Sequence, residues 1–167
     1  GMDAMMMVHC ISQIDYDLVI ELGECLLRVV QSADEVIVRS PAGTDLIGYN
    51  RGRKVRLSGR KATEKGYPVM LAGQVSWCPI ESTIEGKLTF DGALFPPMSL
   101  GKLNNPVHLT LEKGVVTKIE GESDAKVFER WIDALGEPES MRRLAHYSLG
   151  FNPGVTSVTG RIVEDDR

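Results

Sequence analysis

Between residues 35 and 120 the apolar side chains of this chain recur largely at every second position, whereas on either side they recur at every third or fourth. A period of two fits one face of a β-strand, and a period near 3.6 fits one face of a helix. Strands therefore fill the middle and helices bracket it. That order belongs to an α+β fold rather than to a doubly wound sheet, in which helices and strands alternate. No internal repeat competes with it. The expected fold class is α+β, with a mixed, mostly antiparallel strand-rich core, a long N-terminal helix and two C-terminal helices.

The first helix is expected over residues 15–33, with Leu18, Leu22, Cys25, Leu26 and Val29 as its apolar stripe and Asp15 as its N-cap. Gly23 inside it either admits a closely packed neighbour or weakens the helix by about 1 kcal/mol relative to Ala. A strand follows at 35–39, closed by a turn-forming loop at 40–45. Val55 and Leu57 mark a half-exposed strand within a basic stretch. Residues 69–79 read as a buried strand that Pro79 ends, and 86–92 as an alternating strand bounded by glycines. The clearest hairpin joins 107–111 to 115–120 through Glu112, Lys113 and Gly114. A second helix is expected at 124–135, with Val127, Phe128, Trp131, Ile132 and Leu135 on its stripe and Gly136 as its stop. Pro138 opens a third helix running through Met141, Leu144 and Ala145. Residues 160–163 begin a strand-like pattern.

A length of 167 residues suits one domain with a real core, and 43% hydrophobic with 25% charged residues leaves packing, not disulfides or disorder, to specify it. The net charge of -4 argues against nucleic acid and membrane surfaces as partners and leaves a small-molecule or peptide substrate; homo-oligomerisation stays open. Cys10, Cys25 and Cys78 are odd in number and widely spaced, as reduced thiols of a cytoplasmic protein would be, and are expected to serve as small buried hydrophobes. No apolar run reaches the ~18–20 residues needed to span a bilayer, and no export signal precedes Val8. Gly1 ahead of Met2 has the form of a residue left by tag removal. Residues 1–14 are thus expected to be a tag residue and an N-terminal extension, and 15–167 the domain proper.

His146 is the leading candidate for chemistry, because it precedes a turn built of Gly150, Asn152, Pro153 and Gly154, and such loops often carry function. A neutral imidazole is a good ligand for iron or zinc, yet one His needs at least two companions; otherwise it is a hydrogen-bonded structural residue. His108 lies in the hairpin and suits cross-strand packing. Among Glu164, Asp165 and Asp166, Asp165 is a candidate carboxylate ligand or general base, although acidic runs at a chain end are commonly solvated. His9 and Cys10 lack a nearby second pair. Arg51, Arg53, Lys54, Arg56, Arg60, Lys61 and Lys65 suit either an oxyanion or the charged protection of an edge strand. No P-loop, Gly-x-Gly-x-x-Gly, Gly-x-Ser-x-Gly or His-Glu-x-x-His pattern is present.

The order of Val38 to Leu46, then Gly73-Gln74-Val75 with Pro79 and Glu81, then Gly86, the hairpin and the turn at 150–154 resembles the aminopeptidase T group of metallopeptidases and its relative, 2,5-dihydroxypyridine 5,6-dioxygenase. The resemblance runs from about residue 15. It implies a C-terminal metalloenzyme domain truncated after residue 167, with further ligands in the missing stretch, and a divalent metal ion (iron, zinc or cobalt) as cofactor. It implies Glu81 as a second catalytic candidate beside Asp165. In the peptidases a metal-binding Glu occupies the position of Gln74, and a neutral amide is a much weaker ligand. A second peptidase Glu falls near His146, where the dioxygenase places an iron-binding His. The expected activity is an aminopeptidase-like hydrolase, on the overall resemblance; the alternative is a mononuclear iron ring-cleaving dioxygenase, which the residues at 74 and 146 favour locally. A non-catalytic module with a decayed site is the third.

Overall fold

The computed structural model describes residues 3–59, 65 and 71–167. In chain order it comprises α1 (Ala4–Met7), which continues as a π-helical turn (Val8–Ser12), then α2 (Tyr16–Ser32), β1 (Glu35–Arg39), β2 (Asp45–Tyr49), β3 (Val55–Ser58) and β4 (Gln74–Trp77). After a short 3-10 turn (Glu81–Thr83) come β5 (Glu85–Phe90), β6 (Ala93–Leu94), β7 (Gly101–Lys102), β8 (Val107–Glu112) and β9 (Val115–Gly121). The chain finishes with α3 (Ser123–Ala134), α4 (Pro138–Met141), β10 (Tyr147–Gly150) and α5 (Ile162–Asp165). The fold is α+β, and every strand pairing among the described residues is antiparallel. None of the helices among them is long and apolar enough to cross a membrane. Two compact units result, each assembled from separate stretches: residues 1–32, 54–77 and 147–167 form the first, and 33–53 and 78–146 the second.

The first unit holds a three-stranded sheet in the order β10-β4-β3, with α2 against it. Asp15 caps α2 as expected: its carboxylate accepts from the Leu18 N–H at 3.0 Å. Gly23 proves to be a packing glycine, since a Cβ there would lie 2.4 Å from the Leu57 side chain and 3.1 Å from Phe151. The expected stripe is a correction. Val19 and Gly23 are the buried positions of α2, while Leu18, Leu22 and Val29 are 60%, 46% and 66% exposed and Cys25 is exposed as well. The apolar arc is wider than one interface, so periodicity located the arc but not the part of it that meets the sheet. Met6, Cys10 and Leu71 form a buried cluster, which places the α1 segment in the unit's core. Among the described residues β3 lies at the sheet edge, with Arg56 exposed as on a charge-protected edge. Arg60, Lys61, Val69 and Met70 lie outside the described residues; β4 is the described part of the buried strand, and it ends before Pro79.

Residues 160–163 do not extend as a strand, which is a second correction. The Asp165 carboxylate accepts from the Thr159 and Gly160 N–H groups, both at 2.7 Å, and from the Thr159 hydroxyl at 2.8 Å, and this grip curls the segment into α5.

The second unit is a five-stranded sheet in the order β1-β2-β5-β8-β9, backed by α3. The Ser40 N–H donates to the Thr44 carbonyl at 3.1 Å across the loop at 40–45, which returns the chain as β2, a strand not expected from the sequence. In the β8–β9 hairpin Lys113 and Gly114 both have positive φ, 51° and 76°, as a two-residue primed turn requires. Val116 and Ile119 would point to opposite faces of a regular strand. A bulge between Thr110 and Leu111 shifts the register so that Leu109 faces Ile119 and Leu111 faces Val116, which brings both to the buried side. His108 pairs across to β5, its Nδ1 2.9 Å from the Thr89 hydroxyl, so it is the cross-strand residue expected.

α3 ends at Ala134, and Gly136 follows with φ 75° as its stop. The helix opened by Pro138 is shorter than expected: it stops at Met141, because the Arg142 carbonyl accepts from Val116 N–H at 2.8 Å and the Leu144 N–H donates to the Gly114 carbonyl at 3.0 Å. The hairpin end captures that backbone. At the other end of α3, Asp124 accepts the backbone N–H groups of Asn104 at 2.7 Å and Asn105 at 3.1 Å. The Asn105 bond, then the Asn104 bond, hold its carboxyl below the usual carboxylate value. Such a group stabilises fully above its unfolded value, about 3.9, and that contribution is lost as pH falls through the lower folded value. Asp124→Asn should therefore lower the thermal midpoint at neutral pH and flatten its fall below about pH 4, measured by unfolding scans across pH.

Candidate functional site

Gln74 opens β4, in register between Ser58 on β3 and Gly150 on β10. Its amide is buried and committed at both ends: the Ser58 hydroxyl donates to Oε1 at 3.0 Å, and Nε2 donates to the Asp166 carbonyl at 2.9 Å. Gly73 just before it has φ 100°, and a Cβ there would lie 2.6–2.8 Å from Asn152. Gly150 also has no room for a side chain, because its Cβ would meet the Arg167 carbonyl group at 2.5 Å. The Asp166–Arg167 segment is thereby laid against the start of β4. Arg167 and Asp166 form an ion pair at 2.9 Å with the guanidinium side chain only 4% exposed. Despite this pairing, Asp166 Oδ1, Arg167 Nε and Arg167 NH1 complete no hydrogen bond among the described residues. Burial pushes the Asp166 carboxyl up, opposed by the charge of Arg167.

Asn152, which the sequence reading used only as a turn residue, is the most connected buried side chain of this region. Its Nδ2 donates to the Cys10 carbonyl at 3.0 Å and the Ala72 carbonyl at 2.9 Å, and its Oδ1 accepts from Gly154 N–H at 2.8 Å. It ties the turn to the approach to Gln74. A polar recess of about 390 Å³ beside that turn is lined by His9, Gln13, Thr156, Ser157 and Glu164 among others. His9 Nδ1 sits 2.8 Å from Gln13 Oε1, while Cys10 is buried in the core, so the two do not act as a ligand pair.

In the second unit, His146 is exposed and has no hydrogen-bond partner among the described residues. Cys78 Sγ donates to the neighbouring Ala145 carbonyl. Glu81 starts the 3-10 turn, where it pairs with Arg53 and accepts from Cys78 Sγ at 3.3 Å. Its carboxyl is held low, first by its own backbone N–H, then by the Cys78 thiol, with Arg53 adding to the effect. A carboxylate so held is a poor proton acceptor near neutrality. Arg51 pairs in fork geometry with Asp34 at 2.8–2.9 Å, so Arg51 and Arg53 are already neutralised by carboxylates of their own unit. Lys65 is an exposed turn residue.

The sequence family described as 2,5-dihydroxypyridine 5,6-dioxygenase matches residues 5–164. The chain belongs to that family. Among solved structures, the 2,5-dihydroxypyridine dioxygenase from Pseudomonas putida KT2440 superposes with a TM-score of 0.71 at 22% identity, over 86% of this chain and 41% of that one. Wild-type AmpT, aminopeptidase T, from Thermus thermophilus superposes with a TM-score of 0.63 at 17% identity, over 90% of this chain and 39% of that one. At such identities these likenesses show a shared fold, and the chain spans about two fifths of the length of either protein. No curated protein matches at a comparable level. This dioxygenase-family domain thus has the metalloenzyme-like fold that the resemblance implied.

The described residues do not themselves compose a metal site. No three His, Cys, Asp or Glu side chains among them converge on one point. Gln74 offers an amide whose oxygen already accepts a hydrogen bond, Glu81 is paired with Arg53, and the Asp165 oxygens accept from Thr159 and Gly160. Of these four candidates among the described residues, His146 presents a donor atom with no hydrogen bond.

Proposed function

We propose that this chain is part of a mononuclear iron dioxygenase acting on a small hydroxylated aromatic ring, and that His146 supplies one ligand to the metal. The family match favours this reading, and the state of Gln74 carries it. A peptidase of the aminopeptidase T kind needs carboxylates to neutralise paired divalent ions. At residue 74 this chain holds a neutral amide held between Ser58 and Asp166, which offers no charge and an oxygen that already accepts a hydrogen bond. His146, by contrast, is exposed and unbonded among the described residues, as a ligand awaiting companions must be. Those companions would come from outside the described residues. The hydrolase reading rests on the shared fold alone.

Ferrous iron titrated into the full-length protein should bind at one equivalent, and His146→Ala should abolish that binding while leaving the unfolding midpoint of the metal-free protein unchanged, because the ring is exposed. Two equivalents of zinc or cobalt would point to the peptidase instead. Ring opening of 2,5-dihydroxypyridine with oxygen uptake, absent in His146→Ala, is the matching activity assay.

A further inference from the structure

α2 carries more apolar surface than its own unit covers. Numbered as heptads with Leu22 at position a, its core-facing residues fall at e, b and f, namely Val19, Leu26, Gly23, Val30, Ile20 and Leu27, all buried or half-buried. Leu18, Leu22, Cys25 and Val29 fall at d, a, d and a, the spacing of a coiled-coil seam, and all four are exposed. Only the c and g positions of this stretch are polar: Asp17, Glu21, Glu24 and Arg28. A helix apolar around so much of its circumference has a face suited to a second partner.

We propose that the partner is a second copy of this chain, with two α2 helices packed antiparallel across a two-fold axis through their midpoints. Charge selects that occupant. In antiparallel register Leu22 of one copy meets Cys25 of the other, Leu18 meets Val29, and the flanking g positions bring Glu21 of each copy beside Arg28 of the other. The two-fold makes both ion pairs form together. A parallel pair would set each g residue against the e position five residues on, Glu21 against Leu26 and Arg28 against Ala33, and would form neither ion pair. Arg28 already lies along the seam, its NH2 3.1 Å from Cys25 Sγ. From Leu18 to Val29 the seam is roughly 16 Å long, so the interface is small and the dimer concentration-dependent.

Sedimentation equilibrium or light scattering over a wide concentration range reads the mass directly. The wild type should rise from 18.4 kDa towards twice that mass. Leu22→Glu should stay at the monomer mass. Glu21→Arg and Arg28→Glu should each dissociate the dimer, and the double variant Glu21→Arg/Arg28→Glu should restore it, with far-ultraviolet circular dichroism confirming that every variant is folded. A wild type that stays monomeric throughout overturns the proposal. So does a dimer indifferent to Leu22→Glu, or a double swap that fails to re-form it.

Discussion

Gly86→Ala is expected to lower the stability of the second unit by about 3–5 kcal/mol, shifting the thermal midpoint by roughly 10 °C or more. Gly86 lies in β5, the central strand of the five-stranded sheet, with φ 119°. Its partner in register is Leu46, and a Cβ there would stand 2.1 Å from the Asp45 carbonyl oxygen. Backbone strain and a backbone clash act together, and neither can relax without parting β2 from β5. Gly52→Ala separates the two effects, because Gly52 also has positive φ, 77°, but nothing within 4 Å of its Cβ position. It should lose only about 1 kcal/mol. Equal losses in the two variants would show that the close approach at Gly86 is unimportant.

Asn152→Ala is expected to remove about 2–4 kcal/mol from the first unit, read by urea or thermal unfolding. Three hydrogen bonds are lost, and the carbonyls of Cys10 and Ala72, both in buried residues, are left without the amide that satisfies them. Asn152→Asp keeps the shape and tests the chemistry. A carboxylate can still accept from Gly154 N–H but faces two carbonyl oxygens, so its folded-state pKa is raised. Such a variant is least unstable below the unfolded value, about 3.9, and loses ground as pH rises through the folded value. A neutral Asn152→Ala would mean that the latch between the turn and the approach to Gln74 does not hold that region.

Legibility in the sequence followed the range of the interactions. The β8–β9 hairpin, β5 and α3 were readable because alternation, a two-residue turn and a Gly stop are local signals. β2 was missed since Gly48 interrupts its apolar pattern; the structure keeps Gly there because a Cβ would lie 3.2 Å from Pro79. The core face of α2 was misplaced for a similar reason, as only the packing of Gly23 against Leu57 and Phe151 reveals which part of the arc is inside. Gln74 could be picked out by its place in a family-like order of motifs. Its partners could not, being 16 and 92 residues away at Ser58 and Asp166. Asn152 left one faint signal, an Asn within a Gly-rich turn, which fits a side chain that bonds backbone as readily as it forms a turn.

The most direct measurement is the ferrous iron content of the anaerobically loaded full-length protein, taken for the wild type, His146→Ala and Gln74→Ala side by side. A one-metal dioxygenase site that uses His146 predicts one equivalent in the wild type, none in His146→Ala, and no loss in the Gln74→Ala protein that remains folded. Iron retained in full by His146→Ala, or lost with Gln74, would contradict it.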